Sequence, residues 1–291
     1  KLKLKDISRT KIQKLIKSGN IQVDGFNVKP SFILSDYAEI TFNQIIDNNN
    51  EHIVPEDINL DILYEDDDIL AINKQAGLVV HPGIKHQSGT LLNGLMYYCK
   101  SLSHINLKRP GIIHRLDKET SGVIIIAKND FSHYFISEQF ANRKIIKIYK
   151  ALVWGKVMCN GIVEGNLNRS SKNRIAFELG GVKGKYSFSK YNLEKRYAIP
   201  VSLLKVFPKT GRTHQIRVHL SSLGFPILND ALYYKGQFNL NAFHQKYKKN
   251  IDKITSMITR VALHAENITF THPSSKEEIT ISDPYPLDFS K

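Results

Sequence analysis

Residues 114–122 read His114-Arg115-Leu116-Asp117-Lys118-Glu119-Thr120-Ser121-Gly122, and Val123-Ile124-Ile125-Ile126-Ala127 follow directly. An apolar, mostly β-branched run with no polar face marks a strand covered on both sides. The nine residues ahead of it set one carboxylate, Asp117, between basic neighbours and a Thr-Ser-Gly turn. The segment reads as a polar loop pinned to a buried strand, an arrangement that holds reactive side chains still. On these residues alone Asp117 has two readings, a working carboxylate or the cap of the Thr120-Ser121 turn.

Further apolar runs at 69–73, 148–154 and 201–207, and an alternating one at 185–193, predict more strands. Pro208-Lys209-Thr210-Gly211 predicts a turn, and Thr213 predicts the cap of a helix through Ser222 that ends at Gly224. Strands this numerous, joined partly by hairpin-length turns, predict an α+β fold with a mixed, mostly antiparallel sheet.

The 291 residues suffice for one large domain and one small one. No stretch approaches the roughly 18 apolar residues of a membrane helix, so no membrane partner is expected. No secretory signal is visible from Lys1 onward. The two cysteines, Cys99 and Cys159, suit a reducing compartment and are expected to be small buried hydrophobes. The expected location is the cytoplasm, or an organelle if the source is eukaryotic, and the expected state is a monomer.

Net charge is +14, and residues 140–220 carry all of it, with 17 Lys and Arg against Glu164, Glu178 and Glu194. A basic stretch of this kind is a footprint for phosphate, which points to RNA as the partner. Residues 46–68 are the reverse, with nine acids and no Lys or Arg. We expect a small basic domain over 1–45, an acidic linker over 46–57 and a large domain over 58–291. In the small domain Ser8 is placed to cap a helix over 9–17, which presents Arg9, Lys11, Lys14 and Lys17 around its apolar face. Strands at 21–23 and 26–28 are expected to flank an Asp24-Gly25 hairpin turn, with a last strand at 37–42.

Five blocks, in order, resemble the RluA family of pseudouridine synthases. They are residues 73–83 (Asn-Lys-Gln-Ala-Gly-Leu-Val-Val-His-Pro-Gly), residues 110–122 around Asp117, and Lys147-Ile148-Tyr149-Lys150-Ala151. After them come residues 210–219 (Thr-Gly-Arg-Thr-His-Gln-Ile-Arg-Val-His), then Ala262-Leu263-His264-Ala265 with His272-Pro273. Residues 8–42 resemble the small RNA-binding domain shared with a small-subunit ribosomal protein, without a clear leading helix. Asn229-Asp230 stands where the family often has Gly-Asp.

The resemblance implies isomerisation of uridine to pseudouridine in RNA, with no cofactor. Asp117 would be the catalytic carboxylate, acting on the sugar as nucleophile or as base. Arg217 would pair with Asp117 and keep it ionised, since burial alone raises a carboxylate's pKa. Tyr149 would stack on the target uracil and take part in the final proton transfer. Arg115 would intrude into the RNA when the base flips, and His114, Lys74, Arg212 and His214 are further substrate-binding candidates, with His114 expected to orient the loop rather than to act as acid or base. On the residues alone, Arg217 and Arg115 could simply contact phosphate, and Tyr149 could be a core aromatic. His81, His214, His219 and His264 lack the Cys or carboxylate companions of a metal site, so no metal is expected. Residues 180–185 (Gly-Gly-Val-Lys-Gly-Lys) fail the spacing of a nucleotide phosphate loop. Residues 81–83 and 88–93 resemble the branch that modifies large-subunit ribosomal RNA. Transfer RNA is the alternative substrate, and a catalytically idle ribosome-assembly factor of the same fold is the alternative role.

Overall fold

The apolar run becomes an interior strand of a ten-stranded sheet, covered on both faces. In a computed structural model, residues 9–42, 53–83, 86–234, 245–283, 286 and 288–289 are described. The chain divides into two compact units, Lys1–His52 and Ile53–Lys291.

The small unit holds α1 (Arg9–Lys17), β1 (Ile21–Val23), β2 (Phe26–Asn27) and β3 (Ile40–Phe42). Its antiparallel sheet runs β2-β1-β3. Asp24 and Gly25 take φ of 52° and 78°, the left-handed pair that a two-residue hairpin needs to match strand twist. The expected last strand begins only at Ile40, and Lys17 is exposed. The expected cap Ser8 and the side chains of Arg9, Lys11 and Lys14 lie outside the described residues.

The large unit runs β4 (Asp61–Glu65), β5 (Ile69–Lys74), α2 (Leu91–Tyr98), β6 (Ser121–Ala127), α3 (Asp130–Ala141) and β7 (Ile146–Trp154). There follow β8 (Gly161–Arg169), β9 (Phe177–Leu179), β10 (Lys185–Arg196), β11 (Val201–Pro208) and α4 (Gln215–Ser222). The chain continues with α5 (Gln245–Met257), β12 (Leu263–Thr271) and β13 (Glu278–Ser282). Strand order is β4-β5-β6-β12-β7-β11-β10-β8-β9, with β13 against β12. Only the β6–β12 contact is parallel among the described pairs, so the sheet is mixed and mostly antiparallel.

Two-residue alternation explains why β5 and β6 lack a polar face. Leu70, Ile72, Ile124 and Ile126 pack with Leu91, Leu92 and Leu95 of α2. Ile69, Ala71, Val123 and Ile125 pack on the other side with Ile136 of α3 and Phe270 of β12. Each fully buried Ile or Leu stabilises the fold by about 1.5–3 kcal/mol. In the other half of the sheet, Ala151, Val153, Leu204 and Val206 meet Ile216 and Leu220 of α4. Gly224, with φ of 82°, closes α4 as expected. Its N–H reaches Ser221 O at 3.0 Å, and the Phe225 N–H reaches Leu220 O at 2.9 Å.

Two expectations are corrected. Residues 53–57 are not linker: Val54 O accepts from Asn93 Nδ2 at 2.8 Å, and the Glu56 carboxylate accepts from the Gly89 N–H at 3.0 Å. Glu56 is thus spent on fastening the chain ahead of α2. Cys159 is exposed rather than buried, while Cys99 is half-buried and its thiol is pushed up to about 11 by burial.

Gly122 sits where β6 meets β12 in register with Ala265, at φ of 108°. A Cβ there would overlap the Ala265 carbonyl oxygen and lie 2.7 Å from its nitrogen. Gly122→Ala should therefore destabilise the protein by about 3 kcal/mol or more, read as a lowered denaturation midpoint. An unchanged midpoint would contradict this packing.

Candidate active site

Three segments converge on one cleft: the loop ahead of β6, the middle of β7, and the turn from β11 into α4. The loop is held from behind. The Lys74 ammonium is fully buried and donates to three carbonyls, Gln75 O at 2.7 Å, Leu78 O at 2.9 Å and Lys118 O at 3.1 Å. Burial pushes its pKa down to about 8, against the pull of Glu119 and Asp117. His114 packs on Phe140 at 4.9 Å, and its Nε2 accepts from the Ile125 N–H at 2.9 Å. Burial, then Lys147, lowers its pKa to about 3, so the ring is neutral and carries its proton on Nδ1. Ser121 Oγ meets His264 Nδ1 at 2.9 Å, and His264 Nε2 lies 2.7 Å from Asp283 O. Lys74 and His114 are thus props of the loop and do not line the cleft, which corrects their expected place against substrate. The Lys74 ammonium and His114 Nε2 are consumed by backbone groups that folding would otherwise leave unpaired.

Asp117 faces forward from this scaffold. Arg217 Nη1 lies 3.4 Å from Asp117 Oδ2, the expected pair. Its tighter partner is Asp230, at 2.7 Å from Nε to Oδ2 and 2.8 Å from Nη2 to Oδ1. A guanidinium fork fits a carboxylate in this two-bonded way, and a lysine cannot reproduce it. The Asp230 side chain is 1% exposed, Arg217 9% and Asp117 21%, so the ion chain opens toward the cleft. Burial works against the Arg217 charge, but Asp230 and then Asp117 outweigh it and raise its pKa. Asp230 follows Asn229, which takes φ of 58°, a conformation Asn tolerates and Gly favours. The sequence reading gave Asp230 no role. The signal was there, since a carboxylate inside the apolar stretch 225–233 needs a buried cation.

Tyr149 packs against both large apolar clusters of the sheet and opens onto the cleft. Burial, reinforced by Asp117, raises the phenol's pKa and keeps it protonated. Arg115 and Arg212 are exposed at the rim. Arg115 Nη2 donates to Thr213 Oγ1 at 3.4 Å, and Arg212 Nε donates to Tyr186 O at 3.1 Å. His214, not Thr213, is the N-cap residue of α4, so it leads the helix in place of lying on its face.

One cleft residue escaped the sequence reading. Lys147 lies two positions before Tyr149 on β7 and therefore shares its side of the strand. Its Nζ reaches Thr210 O at 3.4 Å, and it has no carboxylate partner among the described residues. Burial pushes its pKa down to about 8. Among the described residues, no three His, Cys, Asp or Glu side chains gather as metal ligands. The glycine run at 180–184 leads into strand β10, whereas a phosphate loop leads into a helix.

Residues 68–222 match the family described as RNA pseudouridylate synthase. An RNA pseudouridine synthase of Chlorobaculum parvum is 38% identical over 98% of this chain and 88% of its own length. Ribosomal large subunit pseudouridine synthase D of Pseudomonas aeruginosa is 34% identical over 97% of this chain and 85% of its own. The solved structure of human RNA pseudouridylate synthase domain containing 1 superposes with a TM-score of 0.58 at 27% identity, over 79% of this chain and 84% of that one. The matched span holds the Asp117 loop, Tyr149 and Arg217, and the curated relatives span nearly the whole chain, so the protein belongs to the RNA pseudouridylate synthase family and isomerises uridine to pseudouridine in RNA.

Proposed function

We propose that the target uridines lie in a stem-loop of large-subunit ribosomal RNA, and that Asp117 carries the reaction in the cleft. The observation behind the chemistry is the Asp230–Arg217–Asp117 chain, which aims one partly exposed carboxylate across the cleft from Tyr149. The support for the target is that relatives named ribosomal large subunit pseudouridine synthase D align with 97–98% of this chain.

The reaction breaks the N1–C1′ bond, turns the freed uracil and joins C5 to C1′; C5 then gives up its proton and N1 takes one. Atoms and electrons are conserved, so neither a redox partner nor a nucleotide is consumed. Asp117 acts at the sugar, by attack or by proton abstraction, and either role needs it ionised and aimed. Arg217 does the aiming, because Asp230 fixes the guanidinium from behind. The target base must leave its stack, at a cost of a few kcal/mol. Tyr149 offers the flipped uracil a flat apolar face. Its raised pKa favours this stacking role, since a protonated phenol accepts the C5 proton only after releasing its own. Arg115 at the rim fills the gap the base leaves, and Lys147 and Arg212 add unpaired positive charge for phosphate. The small unit grips the same RNA through the basic helix α1. The protein works as a monomer in the compartment where ribosomes are made. No helix among the described residues is long and apolar enough to cross a membrane.

Incubation with unmodified large-subunit ribosomal RNA and with unmodified tRNA, followed by adduct mapping, should place new pseudouridine in the former alone. Product in tRNA only would overturn the target, and binding without product would favour an assembly factor. Arg217→Lys should lower kcat/KM by about 10- to 100-fold, the equivalent of one charge-assisted hydrogen-bond set. Wild-type turnover in that variant would refute the pairing.

A further inference from the structure

Tyr233 is buried, and it meets helix α4 at its start, middle and end. Its backbone carbonyl accepts from Ser221 Oγ of α4 at 2.8 Å. The Arg217 guanidinium lies 5.0 Å above its ring. Its hydroxyl has two partners, the Phe177 N–H at 2.9 Å and His214 Nδ1 at 2.8 Å.

Those two contacts constrain where protons lie. The Phe177 N–H can only donate, so the Tyr233 oxygen accepts there. The hydroxyl's own proton then has one acceptor among the described residues, His214 Nδ1. An imidazole that accepts at Nδ1 and is neutral carries its proton on Nε2. Burial lowers the His214 pKa, with Asp117 pulling the other way, which agrees with a neutral ring. The ring is gripped edge-on by Phe177 at 5.8 Å and Tyr233 at 5.6 Å. Its Nε2 has no protein partner among the described residues, and the residue lines the cleft beside Asp117 and Arg115.

The backbone singles out the same residue. His214 takes φ of 55° and ψ of 18°, a left-handed conformation that residues with a Cβ avoid. Such strain persists where surrounding structure enforces it, and sites of function collect it. Here it turns the ring out of the helix line and back toward Tyr233.

We propose that Tyr233 is a positioning residue that locks His214 as the Nε2–H tautomer, and that His214 so held donates a hydrogen bond to an oxygen of the target uridine. The second half rests on the reading of the cleft given above; the first does not. Uridine offers acceptors at both uracil carbonyls and on the ribose. A neutral donor there adds direction without adding a second positive charge beside Asp117.

The test uses the full chain with 15N-labelled histidine and long-range ring correlations, the His214 signal being assigned by its loss in His214→Gln. The wild-type ring should show hydrogen on Nε2. Tyr233→Phe keeps the ring under Arg217 and removes only the hydroxyl, so His214 should become a tautomer mixture and kcat/KM should fall about five- to tenfold. His214→Gln, whose amide nitrogen can stand in for Nε2, should retain more activity than His214→Leu at equal thermal midpoint. Hydrogen on Nδ1 in the wild-type protein overturns the lock, and wild-type kcat/KM in Tyr233→Phe overturns its use. If Tyr233→Phe does not fold, equal activity of the two His214 variants overturns the proposal. The tautomer is read without RNA, so a wild-type protein inactive on RNA would count against the proposed function alone.

Discussion

One guanidinium is shared by two carboxylates. Asp230 takes Arg217 in a two-bonded grip, and Asp117 takes what remains at 3.4 Å. The inequality matters more than the presence of the pair. A buried arginine must be neutralised, and Asp230 does that within the protein, so the charge is in place before any RNA arrives. Asp117 is then held by attraction without being locked, with its outer face open to the cleft. Had the tight partner been Asp117 itself, the reactive carboxylate would sit in its most stable ion pair, and any reaction would begin by breaking it. Asp230 also accepts from the Leu232 and Tyr233 N–H groups at 3.2 and 3.3 Å, which joins the ion chain to the turn that carries Tyr233.

The same logic governs the loop. Basic residues near a reactive carboxylate in an RNA-modifying protein suggest phosphate contacts, yet Lys74 and His114 point inward. Lys74 gathers three carbonyls from two segments, and His114 bonds the loop to β6. Their work is to make Asp117's position independent of the RNA. The cations that do line the cleft on its open side, Arg115, Lys147 and Arg212, come from three different segments.

Much of this was legible in the sequence, and the reasons it was or was not are particular. Strands β5, β6, β7, β10 and β11 announce themselves because their interior faces are unbroken or cleanly alternating. Strand β8, Gly-Ile-Val-Glu-Gly-Asn-Leu-Asn-Arg, does not, since its place depends on β9 and β10 rather than on its own pattern. Helix α2 was hidden by an all-round apolar composition that reads equally as strand, and it starts on a Thr90–Asn93 capping box. Motifs single out Asp117, Tyr149 and Arg217, which the structure brings to one cleft. Asp230, Tyr233 and Lys147 were not, because their roles depend on long-range geometry that spacing along the chain does not encode. The inward turn of Lys74 was missed for the same reason.

If Asp117 performs the chemistry while the rest of the cleft holds it and the RNA, its amide variant should bind RNA and form no product. The most direct measurement is Asp117→Asn, with pseudouridine yield and RNA affinity determined on the same ribosomal RNA. The account predicts no detectable pseudouridine at any enzyme concentration, with a dissociation constant within about threefold of wild type, less than 1 kcal/mol. Pseudouridine formed by the Asn variant would contradict it.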